Sequence, residues 1–142
     1  MVIVAGVISG VFVKRHQDSL VALQTNAYND SIQSMITSDI LVGDSLFNLG
    51  NLHEEGFEVA LLDAYQNYNN AISHQFKDGS TYKEKADINK KIQQIERQLF
   101  DAYISFKEKA VIFSDEKEIA DEFEDRAKAI SDVIDVTKYQ TN

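Results

Sequence analysis

No proline interrupts the chain at any of its 142 positions. Proline locks its own φ, lacks a backbone donor and normally ends helices or shapes loops. A chain without it is free to run in long helices joined by short turns, and the apolar residues are spaced to match. Between Lys83 and Phe113, the residues Ile88, Ile92, Ile95, Leu99, Ala102, Phe106 and Ala110 recur at steps of three and four. That period lines one face of a helix. Ile119, Phe123, Ala127, Ile130 and Ile134 repeat the pattern, and so do Phe57, Leu61, Ala64, Tyr65, Tyr68, Ala71 and Ile72. From Asp18 to Leu49 the spacing is looser, with Leu20, Leu23, Ala27, Tyr28, Ile32, Met35, Ile36 and Ile40 as a fourth stripe.

The junctions predict the same four segments. Gly50 stands where a helix end favours a left-handed residue, and Gly79 where a second helix stops. Asn51 with Glu54, Thr81 with Glu84, and Ser114 or Asp115 with Glu118 have the spacing of capping boxes. The expected fold is all-α: an antiparallel up-down four-helix bundle with long helices, each about 40 Å for 25 to 30 residues. An apolar N-terminal segment, residues 1–16, precedes the bundle domain of residues 17–142 as a helical extension or the remnant of an anchor. The polar terminus from Lys138 to Asn142 is expected to fray.

Charge narrows the function classes. The net charge is −9, and no Lys or Arg occurs between Arg15 and Lys77. Nucleic-acid binding needs cations to displace phosphate counterions, so it is not expected. Segment 83–111 holds seven basic and five acidic residues, whereas 115–125 holds seven acidic residues and Lys117. Those two helices should attract, with Glu122–Arg126 and Glu124–Lys128 as pairs within the last one. Asp115, Glu116, Glu118, Asp121, Glu122, Glu124 and Asp125 form the candidate face for a basic protein partner.

Catalytic constellations do not emerge. The absence of cysteine removes thiolate chemistry and cysteine metal sites. None of His16, His53 and His74 follows a Glu by three residues, as a di-iron bundle would need. His53 is expected to be exposed in the first turn of the second helix, and His74 suits that helix's C-terminal dipole. No Gly-x-Ser-x-Gly or phosphate loop is present. The string Gly43-Asp44-Ser45-Leu46 is similar to the first block of a family of esterases and lipases. That family needs a preceding strand and an Asp-x-x-His, whereas this segment is helical and the chain has no Asp-x-x-His. Ser45 is read as a chance match, and no catalytic residue, cofactor or metal is expected. Tyr65, Asn67, Tyr68 and Asn69 could border a small polar pocket between helices, or be core tyrosines with surface amides.

The run Val2–Val13 carries no charge. Twelve helical residues span only about 18 Å of a bilayer core about 30 Å thick. Its basic residues follow the apolar run, the reverse of a secretion signal. Gly6 and Gly10 have the Gly-x-x-x-Gly spacing of close-packed helices. Water does not tolerate such a run exposed, so Val2, Ile3, Val4, Gly6, Val7, Ile8, Gly10, Val11, Phe12 and Val13 form the candidate association segment. It is expected to continue as helix and to be covered by the chain's own bundle, a second copy or a membrane. Cytoplasmic, extracytoplasmic and membrane-associated locations all accommodate it. The expected function is association without catalysis, as a homo-oligomer or with a protein partner. Two alternatives are an acidic inhibitor or immunity-type protein, and a ligand-binding sensory bundle. For the latter, the outline resembles the extracytoplasmic four-helix sensor domains of bacterial receptors, by architecture alone.

Overall fold

The computed structural model describes the backbone at residues 2–76, 79 and 82–140, and side chains from residue 18 onward within that set. Four α-helices follow in order: α1 Val2–Gly50, α2 Phe57–Ser73, α3 Lys85–Ile112 and α4 Lys117–Ser131. A single 3-10 turn, Val136–Tyr139, ends the described chain, and no strand occurs among the described residues. Successive helices pack side by side, α1 on α2, α2 on α3 and α3 on α4. Cross-helix pairs run in opposite senses along each interface: Gly43 meets Tyr68 while Gly50 meets Leu61, and Tyr68 approaches Lys91 while Tyr65 reaches Glu96. The bundle is therefore antiparallel, up-down-up-down.

The three shorter helices bury the faces their periodicity marks. All seven residues of the α3 stripe, Ile88 to Ala110, are buried. From α2 the core receives Leu61, Ala64, Tyr68 and Ala71, and from the last segment Ala127, Ile130 and Ile134.

α1 continues the N-terminal run as helix, as expected, but its inward stripe differs. It runs 49 residues without a break, roughly 74 Å at 1.5 Å per residue, so the apolar N-terminal run and the first bundle helix are one element. Contacts of the side chains from Val2 to Val13 lie outside the described residues. The expected inward stripe divides: Ile36 is fully buried and Ile32 and Ile40 pack partly on the core, while Leu20, Leu23, Tyr28 and Met35 are exposed. No side chain from Asp18 to Ser31 is buried. The residues of α1 that bury instead are Ile36, Gly43 and Gly50, seven apart.

Glycine is needed at the last two for close approach. A Cβ on Gly43 would lie 2.6 Å from Tyr68 Cε1, and one on Gly50 would lie 2.5 Å from Leu61 Cδ2. Gly50 is thus an interior packing residue and does not adopt the expected left-handed conformation. The left-handed positions of the connection are His53, at φ 53°, and Gly56, at φ 78°. His53 lies ahead of α2, exposed and stacked on Phe57 with ring centroids 4.8 Å apart. Gly79 does take the left-handed conformation, at φ 82°.

Among the described residues, neither the Asn51–Glu54 box nor the box from Ser114 or Asp115 to Glu118 closes. α2, α3 and α4 start after Gly56, Glu84 and Glu116 with no side-chain cap. Asn51 instead accepts a hydrogen bond from Gln98 Nε2 at 3.0 Å, linking the α1–α2 connection to α3. Thr81 lies outside the described residues. Within the terminal segment, Tyr139 packs on Phe100 of α3 at 5.4 Å and its hydroxyl donates to Glu96, while residues 141 and 142 lie outside the described set.

In an open helix, Gly→Ala stabilises by about 0.5–1 kcal/mol. Gly43→Ala should instead destabilise, by about 1–3 kcal/mol, because the methyl drives into the Tyr68 ring. Urea unfolding with an unchanged m-value would measure it.

Candidate functional site

The polar residues of α2 split by direction. Tyr68 is fully buried, edge-on to Phe47 at 6.3 Å. Its hydroxyl donates to Asp44 Oδ1 at 2.6 Å, and Lys91 Nζ donates to the same oxygen at 2.8 Å. Burial opposes the charged Asp44, but the bonds from Lys91 and Tyr68 outweigh it and hold its carboxyl below the usual range. Burial, then Asp44, raises the Tyr68 phenol. This trio joins α1, α2 and α3, with both bonds converging on one oxygen of the Asp44 carboxylate.

Asn67 Nδ2 donates to Asp63 O at 2.8 Å and Asn69 Nδ2 to Tyr65 O at 2.9 Å. Both amides are spent on their own helix. Tyr65 and Asn69 border an open hollow of about 540 Å³, with Leu62, Asp63, Gln66, Asn70 and Val133. Asn67 and Tyr68 do not line it. Of the four residues singled out in the sequence, two therefore share a surface hollow, one is core and one is solvated.

The acidic helix α4 is gathered more closely. Glu118, Asp121, Glu122 and Asp125 line an open groove of about 540 Å³ against Glu58, Val59, Leu62, Arg126 and Ala129. Asp115 and Glu116 lie exposed in the turn before it. Glu124 faces α3, where it binds Lys107 at 2.9 Å. Neither expected pair within α4 forms. Lys128 binds Asp132 at 2.8 Å, and Arg126 reaches across to buried Glu58 of α2, with Nε and Nη2 donating at 2.7 and 2.9 Å. The Arg126 guanidinium also lies over the Phe106 ring, 4.3 Å from its centroid. A two-point bond to a buried carboxylate and an aromatic face suit arginine, and a one-turn partner such as Glu122 supplies neither.

A third polar centre was not legible in the sequence. Glu96 of α3 accepts from the Tyr65 and Tyr139 hydroxyls, and Lys138 Nζ lies 3.6 Å away. His74, which follows α2, places Nε2 3.5 Å from Asp39 of α1. Among the described residues no group of three or more His, Cys, Asp or Glu side chains could hold a metal. Ser45 is exposed on helical α1.

The feature that stands out is the outer face of α1. Val21, Tyr28, Met35, Val42 and Leu49 are spaced by seven residues, and each is between 45% and 61% exposed. Leu20 and Leu41 border the same line. Ser31, Ser38 and Ser45 lie between its members, so the stripe carries no charged residue from Leu20 to Leu49. Reading apolar residues at steps of three and four merged this line with the core stripe. Both lines repeat every seven residues, so packing and not spacing separates them. Among the described residues no helix is long and apolar enough to cross a membrane. Comparison with known protein families, with curated proteins and with solved structures finds no match.

Two outcomes follow for the polar links. Glu58→Ala strands Arg126 against α2 and should cost about 2–4 kcal/mol, less than a fully buried pair because the arginine is part-exposed; chemical denaturation measures it. Burial and then Glu96 push the Tyr139 phenol up to about 12, while an unfolded tyrosine titrates near 10. The folded state keeps its proton longer, so this stability is full below pH 10 and is lost as pH rises from about 10 to 12. Urea midpoints taken from pH 8 to 11.5 should fall less steeply in Tyr139→Phe than in the parent protein.

Proposed function

We propose that this protein acts by association, without catalysis, and that α1 is its associating element. The observation that carries this reading is the exposed seven-residue line from Val21 to Leu49 on a helix that outreaches its own bundle. An isolated helix is marginal in water unless side-chain pairs or packing support it. Between Asp18 and Gly50 there is no Lys or Arg, so beyond Asp18 no i,i+4 ion pair can supply that support along α1. The three- and four-step core contacts begin only at Ile32. A partner surface along the outer face would supply what the sequence of α1 lacks, and the adjoining Val2–Val13 run adds a second segment that demands cover, by protein or by lipid.

A second reading is favoured by one observation: the gathering of Glu118, Asp121, Glu122 and Asp125 along a single groove. It suits a basic protein partner, bound in a salt-sensitive manner.

Sedimentation of the purified chain tests the first reading. The expected result is a mass above the 16.0 kDa of one chain, with helicity that falls on dilution. Met35→Glu and Val42→Glu, both on exposed positions, should lower the mass and the helicity of α1 together. A monomer that keeps full helicity at every concentration would sink the proposal.

A further inference from the structure

We infer that the occupant of the outer face of α1 is a second copy of this chain, paired with it in parallel and in register as a two-stranded coiled coil. The inference rests on the association reading above and specifies its partner and geometry.

The spacing is the first ground. Apolar residues at a strict interval of seven face a partner helix along a left-handed supercoil, whereas a flat protein surface or a bilayer asks for a broader stripe of period 3.6. Val21, Tyr28, Met35, Val42 and Leu49 each meet their own counterpart in a parallel pair, which makes the line self-complementary. Gln24, Ser31, Ser38 and Ser45 occupy the alternate seam position, and the three serines are small enough to let two backbones approach.

Charge is the second ground. The chain carries −9, so self-association needs a face where like charges do not meet. This stripe is such a face. Of the carboxylates of α1 from residue 18 on, Asp39 lies beside His74 and Asp44 binds Lys91, both toward the bundle, while Asp18 and Asp30 are exposed off the line. A basic partner would find nothing on the stripe to pair with.

Area is the third. At ordinary side-chain sizes, the exposed surface of the stripe from Leu20 to Leu49 amounts to roughly 800 Å² per chain, about what each partner of a stable dimer buries.

Register selects the direction. In an antiparallel pair centred on Met35, residue 20 would lie opposite Gly50, the last residue of α1. The Val2–Val13 run of each chain would then extend past its partner helix. In the parallel pair the two runs lie alongside each other.

The chain has no cysteine, so single replacements report distances directly. Val42→Cys on the full-length protein should give a covalent dimer under mild oxidation, at least about tenfold faster than Thr37→Cys, which lies off the seam. Equal rates for the two, or no dimer from Val42→Cys, would overturn the inference. So would preferential linkage of Val21→Cys chains to Leu49→Cys chains, the antiparallel outcome. Val111→Glu, at an exposed apolar site elsewhere, should leave the dimer unchanged. Addition of neutral phosphatidylcholine vesicles tests lipid as the occupant: loss of the Val42→Cys linkage with flotation of the protein would overturn pairing in favour of a membrane. A chain that is monomeric at every concentration removes both proposals. A stripe-dependent dimer that fails the cysteine test removes only the parallel register.

Discussion

The approach of α1 to α2 sets the rest of the molecule in place. At Gly43 and Gly50 the α1 backbone presents no side chain, and Tyr68 and Leu61 fill the space. That contact puts Asp44 within reach of the Tyr68 hydroxyl and of Lys91, so one carboxylate joins three helices. It also leaves the adjoining flank of α1, about 100° round the helix axis, outside the core. The exposed line from Val21 to Leu49 is thus a consequence of where the glycines are.

The remaining interhelix polar links follow a common rule. Three buried or half-buried carboxylates reach an element other than their own: Glu58 to Arg126, Glu96 to Tyr65 and Tyr139, Asp44 to Lys91. Buried carboxylates cost several kcal/mol when left alone, so such groups are held by partners that fix their direction. They tie α2, α3, α4 and the terminal turn into one body.

How much was legible depends on whether a residue's partner is near in sequence. The α3 stripe could be read completely, because periodicity alone decides which face a helix buries when neighbours cover it on that side. α1 could not, because both of its faces hold apolar residues and only packing tells which is inside. Capping boxes were misplaced for another reason. The spacing of Asn51 and Glu54 is right, but the left-handed His53 and Gly56 delay α2 to Phe57 and release Asn51 to Gln98. Arg126 and Glu96 were missed as centres because their partners are 68 and up to 43 residues away, beyond any local pattern. Of the candidate groups, the sequence separated the acidic face of α4 well and the polar residues of α2 poorly, since their amide bonds run to backbone carbonyls.

The inner contacts Ile36, Gly43 and Gly50 and the outer line of α1 share one interval. A straight α-helix does not repeat every seven residues; positions so spaced drift around its axis by about 20° per repeat. Over the four intervals from Val21 to Leu49 that amounts to about 80°. Only a helix coiled to the left keeps either line facing one way. A left-handed coiling of α1 that kept its inner contacts on α2 would therefore also straighten its outer line, and a change of bend on one side would be felt as a change of pitch on the other.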